Sequence, residues 1–201
     1  MNATINQYLL KIGAVKLSPN DPFTWASGKK SPIYCDNRLT LSYPEVRRLI
    51  CQSFVNKIKE NFKDVEVIAG VATGGIAHGA LVAEALGVPM IYVRDKPKGH
   101  GRMNLIEGHL EAGKRVVVIE DLISTGGSSL KAVDGIRESG GNVLGLLAIF
   151  TYGFEAAIKA FEAANCPFDT LTNFKSLLEE LKAQNAPESE IAFMENWIKS
   201  N

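Results

Sequence analysis

The sequence predicts an α/β protein in which a mostly parallel central sheet is flanked by helices. Two observations carry that expectation. From about residue 41 to about residue 170, short β-branched and apolar runs alternate with segments of helical periodicity, the pattern of strands covered by helices. One of those runs, Val116, Val117, Val118 and Ile119, leads straight into Glu120 and Asp121 and then a stretch of serine, threonine and glycine. That is the pattern of a strand buried on both faces whose carboxyl end reaches the ligand-binding edge of an open sheet.

The elements follow in order. Ile5, Leu9 and Ile12 recur at near-helical spacing ahead of Gly13, so the chain opens with a short amphipathic helix. Residues 23–25 and 33–35 flank a Ser-Gly-Lys-Lys turn and read as a hairpin-like pair of strands. Beyond Pro44, the positions Val46, Leu49, Ile50, Phe54 and Ile58 mark one helix face. Strand 65–71, helix 77–86, strands 90–93 and 116–119, helix 129–139, strand 143–150 and helix 155–164 come next. The tail carries Leu177, Leu178 and Leu181, then Ile191, Phe193, Met194 and Trp197, and reads as two helices broken near Pro187. On this reading residues 1–201 form a single domain: a helix and N-terminal segment to about 40, an α/β core over about 41–170, and C-terminal helices over about 171–201.

Composition narrows the function classes. A chain of 201 residues that is 46% hydrophobic has enough apolar surface for a full core. Its 22 basic and 22 acidic residues cancel, so neither nucleic acid nor an anionic membrane is an expected partner. Cys35, Cys51 and Cys166 are widely spaced with no C-x-x-C pair, which suggests neither a disulfide framework nor a zinc site and favours a reducing cytoplasm. The first residues lack the pattern of a signal peptide, and no run approaches roughly 18 apolar residues. A soluble, cytoplasmic protein is expected.

The chemistry concentrates at 116–129. Gly126 and Gly127 let the backbone approach a ligand with N–H groups converging at a helix N-terminus, and Ser124, Thr125, Ser128 and Ser129 can add hydroxyl donors. Hydrogen bonds to a charged group contribute roughly 1.5–3 kcal/mol each, so a phosphate monoester can be held without a lysine. The absence of that lysine argues against a triphosphate-binding P-loop. Two acids beside a phosphate site would repel the ligand unless they accept hydrogen bonds from sugar hydroxyls or act through a cation. A ribose 5-phosphate with Mg2+ meets both requirements.

The gap between Val93 and Val116 is longer than the roughly 12–15 residues at which loops become functional or disordered. Over 94–102 it holds Arg94, Lys96, Lys98 and Arg102 against Asp95, a net charge of +3 in a neutral chain. It reads as a lid that brings positive charge to a leaving group and excludes water.

Segment 116–129 resembles the phosphoribosyl diphosphate (PRPP) signature of the type I phosphoribosyltransferases. Two further stretches narrow the resemblance to the orotate phosphoribosyltransferase family: residues 94–101, Arg-Asp-Lys-Pro-Lys-Gly-His-Gly, with Glu107 and Gly108; and residues 23–36, similar to that family's N-terminal hood. The resemblance implies the type I phosphoribosyltransferase fold. It also implies transfer of ribose 5-phosphate from PRPP to orotate, giving orotidine 5′-phosphate and diphosphate in UMP biosynthesis, with Mg2+ as cofactor. Glu120 and Asp121 would hold the ribose hydroxyls and Ser124, Thr125, Gly126, Gly127 and Ser128 the 5-phosphate, with Leu122 and Ile123 in the same PRPP-binding stretch. Ser124 would also border orotate. Arg94, Lys98 and His100 would be catalytic-loop cations that reach the diphosphate of the partner subunit in a homodimer, with Asp121 a fourth catalytic group. Mg2+ would be held mainly through PRPP, near Glu120 and Asp121, and Gly74 and Gly75 would lie in the loop facing the diphosphate.

Four departures stand out. Ala26 and Gly74 occupy positions where some members carry lysines, Asp95 replaces a loop lysine, and Thr151 and Tyr152 replace a segment that supplies an orotate-binding arginine. Lys29, Lys30, Arg38 and N–H groups near Tyr34 remain as candidates for the orotate carboxylate. Trp25 and Tyr34 can stack on a base or pack the hood, whereas His78 and His109 read as structural or surface groups. Two alternatives stay open: a phosphoribosyltransferase for a purine or uracil, and a PRPP-sensing regulator on the same fold.

Overall fold

The structure, a computed structural model, describes residues 2–25, 28–96 and 105–200. In chain order its elements are α1 (Asn2–Lys11), β1 (Val15–Leu17), β2 (Phe23–Thr24), β3 (Lys30–Ser31), β4 (Ile33–Cys35), a 3-10 helix (Asn37–Ser42) and α2 (Pro44–Asn61). Then come β5 (Val67–Val71), α3 (Gly74–Leu86), β6 (Met90–Val93), β7 (Ile106–Glu107), β8 (Arg115–Ile123), α4 (Gly127–Glu138) and β9 (Asn142–Thr151). The chain closes with α5 (Glu155–Ala163), β10 (Phe168–Asn173), α6 (Phe174–Ala183) and α7 (Glu188–Lys199).

Six strands form one sheet in the order β10-β9-β8-β5-β6-β7. Every pairing is parallel except that of β6 with β7. All five residues of β5 are buried, as are Val116 through Glu120 of β8, so helices cover both faces. One core layer gathers Ile5 and Leu9 of α1, Ile50 and Phe54 of α2 and Leu177 of α6 against Val117 and Ile119. The other packs Ala132, Val133 and Ile136 of α4 and Phe161 of α5 against Val116 and Val118. The opposite placement of neighbouring β8 residues is the two-residue period of a strand.

The sheet order fixes where a ligand site can lie. The chain leaves β5 through α3 toward β6 on one side, then returns to build β8, β9 and β10 on the other. The order therefore reverses between β5 and β8, and the crevice beyond their carboxyl ends is the switch point where open α/β sheets bind ligands. Ala72 and Thr73 leave β5 there, joined by a cis peptide bond, and Glu120 and Asp121 lie on the facing stretch of β8.

Several expectations are corrected. Strand 116–119 extends to Arg115–Ile123, because β9 pairs with it as far as Ile123 with Thr151; backbone pairing carries the strand through the acidic pair. Residues 23–25 do not pair with 33–35. Instead Phe23–Thr24 pairs with Lys30–Ser31, and Ile33–Cys35 pairs with Val15–Leu17. Gly74 and Gly75 begin α3 rather than lying in a loop. Strand Phe168–Asn173 and helix Asn37–Ser42 are additions to the predicted set. Expected helices 155–164 and 173–201 correspond to α5 and to α6 with α7. No helix among the described residues is long and apolar enough to cross a membrane.

Candidate active site

A polar cleft of about 330 Å3 occupies the switch point, lined by Cys35, Asp36, Arg38, Ala72, Thr73, Gly74, Glu120, Asp121, Leu122 and Ser128. Because strand residues alternate, its two acids turn to opposite sides of β8. Glu120 faces α4: its Oε2 accepts the Ser129 hydroxyl at 3.1 Å and its Oε1 accepts the Asp121 N–H at 2.9 Å. Burial, with the Asp121 charge adding to it, pushes the Glu120 carboxyl well above the usual carboxylate range. Asp121 faces the start of α3. A Cβ on Gly74 would lie 2.2 Å from its carboxyl carbon, so the Asp121 side chain fills the space a larger residue at 74 would need.

Beyond Ile123 the chain turns into the start of α4. Gly126, at φ +84°, is the N-cap of α4, and no side chain caps that helix. Its first N–H groups therefore lack both an intrahelical acceptor and a capping oxygen, which is the arrangement that binds an anion. Thr125, Gly127 and Ser128 are exposed there and Ser124 is half-buried. Ser129, also expected to offer a hydroxyl, is buried and committed to Glu120. The side chain of Ile123 is fully buried in the α4-side core. Ile123 lines neither the cleft nor the recess beside it; its carbonyl accepts the Thr151 hydroxyl at 3.1 Å, tying β8 to β9.

A second recess of about 350 Å3 adjoins the polar cleft and shares Cys35 and Leu122 with it; its other walls are Thr24, Trp25, Tyr34, Ser124 and Tyr152. Trp25 packs tilted against Tyr152 at 5.0 Å, and Tyr152 stacks on Phe154 at 5.4 Å. Trp197 of α7 meets Trp25 edge-on at 5.9 Å and donates its indole N–H to the Lys30 carbonyl at 3.1 Å. The C-terminal helix thus braces the N-terminal segment over the recess. Tyr152 is a buried aromatic wall of the recess.

The N-terminal segment is tied to the sheet by a buried polar chain that sequence reading missed. Asn37 donates to the Asp121 carbonyl at 2.6 Å and its carbonyl accepts the Thr40 hydroxyl at 2.5 Å; Thr40 Oγ1 lies 3.2 Å from His78 Nε2 on α3. The available signal was the Asp36-Asn37-Arg38 run directly after a strand, which by itself reads as an ordinary turn. His78 is structural, as expected.

The cations divide. Arg38 lines the polar cleft and forms a bidentate pair with Asp36. Lys30 bonds Thr24 Oγ1 at 2.7 Å, at the edge of the recess, and Lys29 lies 5.0 Å above the Phe154 ring. Arg94 reaches Glu107 at 3.4 Å, and its backbone N–H bonds the Leu105 carbonyl. Lys98, His100 and Ala26 lie outside the described residues. No group of three or more His, Cys, Asp or Glu among the described residues could hold a metal ion by itself.

The Phosphoribosyl transferase domain family matches residues 38–176. The chain is 55% identical over 197 residues to the orotate phosphoribosyltransferase of Listeria innocua, covering 98% of this chain and 94% of that one. The chain belongs to the orotate phosphoribosyltransferase family. Solved structures agree with the architecture. The orotate phosphoribosyltransferase of Aeropyrum pernix matches with a TM-score of 0.79 at 30% identity, over 89% of this chain and 98% of that one. The Leishmania donovani UMP synthase matches all of this chain with a TM-score of 0.82 at 26% identity, and this chain spans 42% of that longer one. The residues of 23–35 that line the aromatic recess fall in the stretch similar to that family's N-terminal hood, and Cys35 joins the recess to the polar cleft.

Proposed function

We propose that the protein transfers the ribose 5-phosphate group of PRPP to orotate, releasing diphosphate and forming orotidine 5′-phosphate in UMP biosynthesis. The observation that carries this reading is the junction, at one switch point, of an uncapped helix N-terminus, an acidic pair and an aromatic recess. A phosphorylated sugar spans the first two, and a planar base suits the third.

In this reading the N–H groups and hydroxyls of 124–128 hold the 5-phosphate. Asp121, with Glu120 behind it, accepts hydrogen bonds from the ribose hydroxyls. Leu122, shared by cleft and recess, lies under the sugar, and Thr73 and Gly74 face the diphosphate. Orotate enters the recess beside Ser124, between Trp25, Tyr34 and Tyr152. The C1–O bond breaks with its electron pair passing to diphosphate, and a ring nitrogen of orotate donates a pair to C1 and gives up its proton to solvent. No covalent protein nucleophile is required. The chain contributes orientation and stabilises the cationic sugar with nearby carboxylate oxygens. Arg94 and Lys98 offset charge on the departing diphosphate, and His100 is the proton donor to it.

The donor set fits a Mg2+ carried by the substrate: a hard cation bound with substrate phosphates needs one or two carboxylates rather than a cage, and Asp121, which lines the cleft, would supply one, with Glu120 behind it. When bound, the ion neutralises diphosphate charge. We further propose a homodimer in which the loop bearing Lys98 and His100 closes over the partner's cleft, and a cytoplasmic location. Product analysis with PRPP and orotate, hypoxanthine, adenine or uracil tests the acceptor. Orotidine 5′-phosphate as the sole nucleotide supports the reading, and a purine nucleotide or uridine 5′-phosphate overturns it.

A further inference from the structure

The polar cleft has an electrostatic imbalance. Among the described residues Asp36, Glu120 and Asp121 line it, and Arg38 is the one lysine or arginine in that lining. On this lining a polyanionic sugar would meet three carboxyl groups and one guanidinium. That guanidinium is engaged: Nε donates to Asp36 Oδ1 at 2.7 Å and Nη2 to Oδ2 at 3.0 Å. The Arg38 side chain is nevertheless 59% exposed, and a pair so open to water has little net strength. A planar fork that matches a carboxylate in two contacts matches a phosphoryl group in the same way.

The backbone under Arg38 is fixed. Asn37 is bonded to the Asp121 carbonyl, Arg38 N–H donates to Asp36 Oδ1 at 3.2 Å, and Thr40 reaches His78 on α3. These bonds hold Arg38 on the α3 side of β8, the side to which Asp121 turns, and Thr73 and Gly74 line the same cleft. The uncapped start of α4 belongs to the other side, toward which Glu120 turns. Arg38 does not line the aromatic recess.

We propose that Arg38 is a binding residue for the diphosphate group of the sugar substrate, exchanging Asp36 for phosphoryl oxygens when that group enters the cleft. The inference rests on the transfer reading above for the orientation of the substrate. It assigns Arg38 to the leaving group and away from the orotate carboxylate. Asp36 becomes the resting partner that keeps the guanidinium at the cleft before substrate arrives.

Calorimetric titration with inorganic diphosphate and Mg2+ tests this without turnover, so its failure is separable from failure of the transfer reading, which the nucleotide product decides. Arg38→Ala should weaken diphosphate by about tenfold or more, as expected for loss of charge-assisted hydrogen bonds. It should raise KM for PRPP in parallel and leave KM for orotate within about twofold. Arg38→Lys should fall between, since an ammonium makes point contacts. Asp36→Asn should tighten diphosphate by removing its competitor. Arg38→Ala protein that melts like the wild type and binds diphosphate within about twofold of it overturns the proposal. So does a variant whose defect falls on orotate instead.

Discussion

Asn37 and Asp121, 84 positions apart in sequence, are joined by a 2.6 Å hydrogen bond from the Asn37 side-chain amide to the Asp121 carbonyl oxygen. Asn37 is fully buried, and the bond sets the hood-bearing segment against the strand that carries the acidic pair. It couples the cleft and the recess, since Cys35 lines both and its thiol donates to Asn37 Oδ1 at 3.3 Å. Burial, reinforced by the charges of Asp121 and Asp36, raises the Cys35 thiol far above its ordinary range, so it stays neutral.

Replacing Asn37 with alanine leaves the Asp121 carbonyl without this donor. The expected cost is about 1–3 kcal/mol of stability, together with a fall in kcat/KM for PRPP as the cleft loses its register. Denaturant titration and steady-state kinetics read both quantities. Wild-type stability in the variant would show that the bond carries no weight.

His78 gives the fold a defined acid sensitivity. The Thr40 hydroxyl donates to the Asn37 carbonyl, so neutral His78 donates from Nε2 to Thr40. Its Nδ1 has no partner among the described residues. Burial, with the Arg47 charge adding to it, lowers His78 from 6.5 to about 4. Because the folded value lies below the unfolded one, the unfolded chain binds the proton first. The contribution is present above pH 6.5 and is lost as pH falls toward 4, reaching about 3 kcal/mol. Between pH 7 and pH 5, His78→Gln should lose about 2 kcal/mol less stability than wild type. Parallel pH profiles for the two proteins would contradict the assignment.

Trp197 braces the hood from the far end of the chain. Trp197→Phe keeps most ring contacts and loses the bond to Lys30, at a cost of about 1 kcal/mol. Trp197→Ala removes the packing against Trp25, Tyr152, Phe154 and Phe174 as well and should cost about 3–5 kcal/mol. With Trp197→Phe, KM for orotate should rise while KM for PRPP holds, because Trp25 walls the recess and not the cleft. Equal changes in both would argue that the brace acts on the whole fold.

Lys98→Ala and Asp121→Asn test the proposed sharing of sites. Each variant alone should lose turnover by orders of magnitude while keeping its circular dichroism spectrum. Mixing them under conditions that allow subunit exchange should restore part of the activity, since a hybrid dimer holds one site with neither substitution. No recovery in hybrids shown to form would place loop and cleft in the same subunit.

The strand, turn and helix start at 116–129 were legible because their parts are contiguous: a β-branched run, two acids, glycines and the next helix, each with a local physical signature. The hood was not. Residues 33–35 pair with 15–17, and strands of two or three residues have no periodicity to announce their partner. Strand β10 was obscured for another reason: Thr170 and Thr172 are buried where a core pattern calls for apolar residues. Thr172 is satisfied by its hydroxyl donating to Asn6 Oδ1 at 2.6 Å, on the first helix. The same long-range dependence hid Asn37, whose partner lies on β8, and left Arg38 without a side of the cleft until the structure supplied one.

The decisive measurement follows purified protein with PRPP, Mg2+ and orotate. Orotate should disappear with equal release of diphosphate and equal formation of orotidine 5′-phosphate, and turnover should collapse when Mg2+ is removed by chelation. Tight binding of PRPP with no nucleotide formed from orotate would contradict the transfer reading and leave a sensor of PRPP on this fold.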